Sequence, residues 1–156
     1  MHRVMLFLVV MLMAIPAAHA CFDAGLAAFE EGDQAAALAI WQPLAEAGDA
    51  DAQNALGDMY LYGRGVPRDA EAAIGWYEQA AAQGHADAQN HLGVIYANGF
   101  GVDVDRVTAF MWWKLAAERG HEDAPHALSV LANRMTAAEI DEANTRAEAW
   151  STNQQP

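Results

Sequence analysis

Residues 51–66 read DAQNALGDMYLYGRGV, and residues 87–102 read DAQNHLGVIYANGFGV. The second stretch repeats the first at a step of 36 residues. A weaker copy, DAPHALSVL, starts another 36 residues on, at Asp123. The same step links WQPLAEAG from Trp41, YEQAAAQG from Tyr77 and WKLAAERG from Trp113. A period in this range marks units that cannot each bury a hydrophobic face alone and must stack to do so.

Each unit reads as two helices. Ala52, Leu56 and Tyr60 recur at i, i+4 and i+8, as do Ala88, Leu92 and Tyr96, which puts each set on one helical face. Ile74, Tyr77, Ala80 and Ala81 form the matching stripe of the second helix, followed in the next unit by Phe110, Trp113, Ala116 and Ala117. Alanines in these stripes allow close approach and the aromatics fill the gaps between pairs. Gly84 and Gly120 stand where a helix ends and a C-terminal cap is wanted. No strand-like alternation of useful length follows the first twenty residues.

Taken alone, Gly63-Arg64-Gly65 has the look of a phosphate-gripping loop. Its partner Gly99-Phe100-Gly101 changes that reading. A phosphate loop occurs once, between a strand and a helix, with Lys-Ser/Thr or a third Gly after it, and neither copy has that context. Glycine adopts positive φ without a steric cost, so each Gly-x-Gly reads as a helix-to-helix linker. Pro67 suits the approach to the next helix, and Asp69 and Asp105 suit its N-terminus.

These residues resemble the Sel1-like repeat family, a relative of the tetratricopeptide repeat. Its pattern of Ala, Leu-Gly, Tyr, Gly-x-Gly-Val, Asp, Ala, Trp-Tyr, Ala-Ala and Gly is met from Ala52 to Gly84 and again from Ala88 to Gly120. The resemblance covers roughly residues 22–134. It implies an all-α fold, a right-handed α-solenoid of antiparallel helix pairs. The expected units are a short first repeat at 22–49, full repeats at 50–85 and 86–121, and a half repeat at 122–134. The first unit lacks the Gly-x-Gly, and the half repeat has Ser129 where Gly57 and Gly93 stand. Thr136 and Glu139 then form a capping-box signature, with Ile140, Ala143, Ala147 and Trp150 on one face. Residues 136–150 are therefore expected as a capping helix over the open end of the stack, followed by a disordered tail at 151–156.

The first twenty residues, MHRVMLFLVVMLMAIPAAHA, have a basic start, an apolar run and small residues before an A-x-A site. This is the pattern of a secretory signal peptide, and the run is short for a membrane anchor. It predicts export across an inner membrane, to the periplasm, with no transmembrane segment in the mature chain. Cleavage after Ala20 would make Cys21 the first mature residue, the position at which a lipoprotein carries its lipid. Ala20 fits that signal, whereas His19 and the lack of a Leu at position 18 do not. With a single cysteine no internal disulfide can form. Loss of Arg3 leaves 7 basic against 21 acidic residues, a charge of −14. Such a chain repels nucleic acid and anionic membranes, and its charged partners are expected to be neutral or basic.

No catalytic constellation is visible. Asp103 and Asp105 hint at calcium, but Pro67 stands where Asp103 does, so capping accounts for them better. His85, His91, His121 and His126 lack zinc-site spacing and have no cysteine companions. No Gly-x-Ser-x-Gly elbow or cofactor motif occurs. Trp41, Trp76, Tyr77, Trp112 and Trp113 are expected in the core, with one of the adjacent pair Trp112–Trp113 left partly exposed because neighbours on a helix point about 100° apart.

The resemblance implies a protein-interaction adaptor or regulator whose first helices line a concave groove. Counted from the Leu-Gly pair, the groove positions fall on Asn54, Asp58 and Tyr62, then Asn90, Val94 and Asn98, then His126 and Val130. The repeat-equivalent Asn54 and Asn90 could hold the backbone of an extended peptide, since a carboxamide both donates and accepts. A lipid-anchored envelope scaffold and a cell-envelope hydrolase are the alternatives. Against the hydrolase stands the lack of any clustered nucleophile, base or metal set.

Overall fold

The structure is a computed structural model that describes residues 19–154. The expected leader lies outside the described residues except for its last two. Among the described residues the chain forms eight helices and no strand. Helix α1 covers residues 19–30. It is followed by α2 (Gln34–Glu46), α3 (Ala50–Tyr62), α4 (Ala70–Ala82), α5 (Ala86–Asn98), α6 (Arg106–Glu118), α7 (Ala124–Ala132) and α8 (Ala137–Asn153). The closest packing joins α3 to α4 and α5 to α6, the two helices of each full repeat. Contacts of α2 with α3 and α4 with α5 stack one repeat on the next, giving an all-helical solenoid.

Short polar residues start these helices. Asp33, Asp49, Asp69 and Asp105 each accept the backbone N–H three residues on, at 2.9–3.0 Å. Losing such a cap costs about 1 kcal/mol. Thr136 and Glu139 make both halves of the capping box that opens α8. The second helices end alike. After α4 the Gly84 N–H bonds Ala81 O and the His85 N–H bonds Ala80 O; after α6 Gly120 and His121 do the same to Ala117 and Ala116. Both glycines have φ above +80°, which makes each end a Schellman cap. First helices end at Gly63 and Gly99, and the loop is then pinned back by Asp69 N–H to Tyr60 O and Asp105 N–H to Tyr96 O, both 2.9 Å. A Cβ on Gly101 would lie 2.2 Å from the Ala70 Cβ, so the second glycine of this linker seats it against the preceding repeat.

Each pair of helices is locked by a ring laid on a glycine. A Cβ on Gly57 would lie 2.4 Å from Tyr77, on Gly93 2.6 Å from Trp113, and on Gly25 2.3 Å from Trp41. Gly25 therefore makes the short first unit a true counterpart of the others. It stands 16 residues before its ring, against 20 in the full repeats, because the Gly-x-Gly linker is missing.

The C-terminal end departs from the repeat. Helix α8 packs on α6 rather than pairing with α7. Ser129 stands in α7 at the position that Gly57 and Gly93 hold in the full repeats. Ala143 and Ala147 of α8 are buried, and Trp150 meets Trp112 edge to face at a 4.8 Å centroid distance. Two expectations are corrected here. Trp112 and Trp113 are both buried, since α8 covers the first and Gly93 the second. The terminal helix also continues to Asn153, so Ser151–Asn153 are helical and not tail.

Candidate functional site

Asp51, Asn54 and Asp58 recur at i, i+3 and i+7 and line one half-buried strip of α3. Phe22, Leu26 and Phe29 make a similar strip on α1, facing it across a cleft of about 310 Å³. His85 and Asp87, at the start of α5, close the other side, and Arg64 reaches in from the first Gly-x-Gly. The Arg64 guanidinium sits 5.6 Å from the Phe29 ring centre and 5.1 Å from that of Tyr62. Such cation–π contacts hold a side chain in place without consuming its hydrogen-bond donors. The cleft thus has one aromatic and aliphatic wall and one wall carrying Asp51, Asp58 and Asp87.

Beneath the cleft lies a polar network. Tyr77 Oη donates to Asp58 Oδ1 at 2.7 Å. His91 Nδ1 lies within hydrogen-bond reach of Asn54 Oδ1 at 3.2 Å and 3.7 Å from Asp58 Oδ1. The His91 ring leans on Tyr77 at 4.9 Å. Burial, then the charge of Asp58, pushes the Tyr77 phenol far above its ordinary range, so it stays a donor.

Histidines also tie successive repeats. His85 Nε2 meets Asp51 Oδ1 at 3.0 Å while its Nδ1 accepts the Ala88 N–H and caps α5. His121 repeats the arrangement, with Nε2 3.6 Å from Asp87 and Nδ1 accepting from Asp123 N–H. Each histidine stands 34 residues after its aspartate. In both, Nδ1 accepts a backbone N–H of the following turn and Nε2 faces the aspartate of the preceding repeat.

His91 gives a pH prediction. Burial lowers its pKa below 6.5, opposed by Asp58 and Asp87 and reinforced by His121 and His85. Between the folded value and 6.5 the unfolded chain binds a proton that the folded chain does not. The contribution is therefore complete above 6.5 and is lost as pH falls through the folded value. The urea midpoint of the wild type should drop more between pH 7.5 and 5.5 than that of His91→Gln. Parallel pH profiles would refute the assignment.

The groove positions expected from sequence separate in space. Asn54 and Asp58 line the α1–α3–α5 cleft. Asn98, His126 and Val130 line a second groove between the end of α5 and α7. Tyr62 lies beside Phe100 and Arg68 in a shallow depression on the linker edge. Asn90 and Val94 are half-buried on α5, outside the lining of both larger clefts. Asn98 donates to Val94 O of its own helix at 2.8 Å. The wall residues Phe22, Asp51, His85 and Asp87 escaped sequence reasoning. The 34-residue Asp–His spacing was the available signal for three of them. Among the described residues no group of three or more His, Cys, Asp or Glu could hold a metal ion.

The Sel1 repeat model matches residues 50–85 and 86–121, the two units that carry the ring-on-glycine lock in full. The chain is a Sel1-repeat protein. Its fold is similar to that of a protective antigen present in uropathogenic Escherichia coli strains that displays an SLR fold. The TM-score is 0.80 at 29% identity, covering 85% of this chain and 29% of the antigen. It is also similar to a Sel1 repeat protein from Oxalobacter formigenes, with a TM-score of 0.67 at 33% identity, covering 70% of this chain and 45% of that one. The Sel1-repeat chain thus spans under half the length of either. No curated protein matches it. Sel1 repeats generally mediate protein–protein interaction, and proteins built from them are typically non-catalytic scaffolds. Among the described residues no helix is long and apolar enough to cross a membrane.

Proposed function

We propose that this Sel1-repeat protein is a non-catalytic adaptor or regulator of the bacterial envelope that holds a neutral or basic protein segment in the α1–α3–α5 cleft. One observation carries the reading: an aromatic wall faces a wall of three aspartates across one cleft. An apolar side chain of the partner packs on Phe22 and Leu26, while a neighbouring Lys or Arg lies toward Asp51 and Asp87. Asn54 offers both a donor and an acceptor to the partner backbone. The net charge of −13 draws basic segments toward the whole surface and raises their encounter rate.

The leader-like residues 1–20 support an envelope location. Cys21 is exposed at the start of the chain that would follow cleavage, which leaves a lipid-anchored scaffold as the second reading. Mass spectrometry of the protein recovered from envelope fractions separates them: an unmodified Cys21 supports the soluble adaptor, and a diacylglyceryl mass the anchor.

A photo-cross-linker at position 26 should capture segments of neutral or positive charge. Binding of a captured segment should weaken about tenfold in Asp51→Asn/Asp87→Asn, with helix content retained. Acidic captured segments, or wild-type affinity in the folded variant, would sink the proposal.

A further inference from the structure

The groove between the end of α5 and α7 has the opposite chemistry. It measures about 530 Å³, more than the α1–α3–α5 cleft. Val104 and Val130, 55% and 45% exposed, form its lips, with Ala127 and Leu131 below. Arg106, His126 and Arg134 stand around it, and no carboxylate is among its lining residues. The chain has 8 Lys and Arg against 21 Asp and Glu, so two arginines around an apolar floor are a local reversal of sign. Neither arginine makes a salt bridge among the described residues, whereas Lys114 and Arg146 each pair with a glutamate one helical turn away, Glu118 and Glu142.

Two further features adjoin this groove. Helix α7 lacks a repeat partner, because α8 packs on α6. The wall residue Trp113 is 8% exposed, and its indole N–H, buried against Gly93 and not open to the groove, has no acceptor. The matching rings are satisfied: Trp41 donates to Phe22 O at 3.2 Å and Tyr77 to Asp58. Val94 occupies the place of Asp58 beside Trp113, so this repeat supplies no carboxylate of its own. A buried donor without an acceptor is uncommon in a native structure.

We infer that this groove is a second docking site, for a short acidic segment of another protein in which aliphatic side chains alternate with carboxylates. The aliphatic side chains cover Val104, Ala127 and Val130, and the carboxylates meet Arg106, Arg134 and His126. Long polyanions are unsuited to it, because the field of the whole chain repels them. The protein then holds two segments of opposite charge at separate sites on one rigid array.

The test uses the full chain and an acetylated, amidated Asp-Leu-Glu-Leu-Asp peptide in an NMR titration. The Val104 and Val130 methyls should shift, and the fitted affinity should fall about tenfold in Arg106→Gln/Arg134→Gln. It should stay unchanged in Asp51→Asn/Asp87→Asn, which separates this site from the cleft. No shift at the two valines, or wild-type affinity in the folded arginine variant, overturns the inference. So does a dimer in sedimentation velocity that the arginine substitutions dissociate, since that assigns the groove to a second copy of the chain.

Discussion

Gly93→Ala should destabilise the protein by about 2–3 kcal/mol. The added Cβ would lie 2.6 Å from both Cδ1 and Nε1 of Trp113, closer than real Cβ contacts come. A buried cluster of Ala109, Ala116 and Leu131 holds the ring, which has free space only on the side that lines the α5–α7 groove. Relief requires the ring to leave its rotamer toward that groove or α5 and α6 to separate, and either loosens the interface that makes the repeat one unit. In a stacked array that loss propagates to neighbours, since each repeat is stable mainly through the surfaces beside it. Urea denaturation followed by circular dichroism measures the cost. A cycle with Trp113→Ala isolates the cause: with the ring gone, the same methyl enters a cavity and its penalty should vanish. An unchanged midpoint for Gly93→Ala would show that the ring-on-glycine contact does not set the spacing. Gly57→Ala is the companion case, at 2.4 Å from Tyr77. The Tyr77 bond to Asp58 must also break if that ring moves.

The repeat architecture was legible because the same physical requirement recurs at a fixed step. A ring needs a glycine opposite it, a left-handed helix end needs another, and the second helix of each repeat needs an aspartate before it. These demands print themselves as Gly57/Tyr77, Gly63 and Asp69, and again as Gly93/Trp113, Gly99 and Asp105. Gly25 obeyed the same rule but stood four residues nearer its ring, so the missing linker hid it. The site was less legible. Its walls come from α1, α3 and the start of α5, and no local pattern says that Phe22 will face Asp51. Counting groove positions from the Leu-Gly pair assumed that every first helix continues one surface. That assumption fails at α7, where α8 packs on α6 and leaves an open groove. Asn54 and His126 are equivalent in sequence but lie in clefts of opposite charge.

Trp112→Ala should cost about 3–5 kcal/mol, the range for truncating a buried tryptophan, and lower Tm by on the order of 10–20 °C. Trp112 is 2% exposed and joins the cluster of Tyr77, Leu92, Ile95 and Met111 to α8 through its edge-to-face contact with Trp150. Such an aromatic pair adds about 0.5–1.5 kcal/mol beyond the area it buries. Trp150→Ala should cost less, because Trp150 is only half-buried and sits at the margin of that cluster. Both substitutions loosen α8, but only the first opens a cavity under it. Limited proteolysis distinguishes them from a general loss of stability, since cleavage should begin between Met135 and Ala137 while the repeats stay intact. A chain ending at Met135 should aggregate at concentrations where the full protein is monodisperse, because the α6 face holding Trp112 then meets water. If Trp112→Ala melts within about 2 °C of the wild type, α8 is a passenger on the array and not its cap.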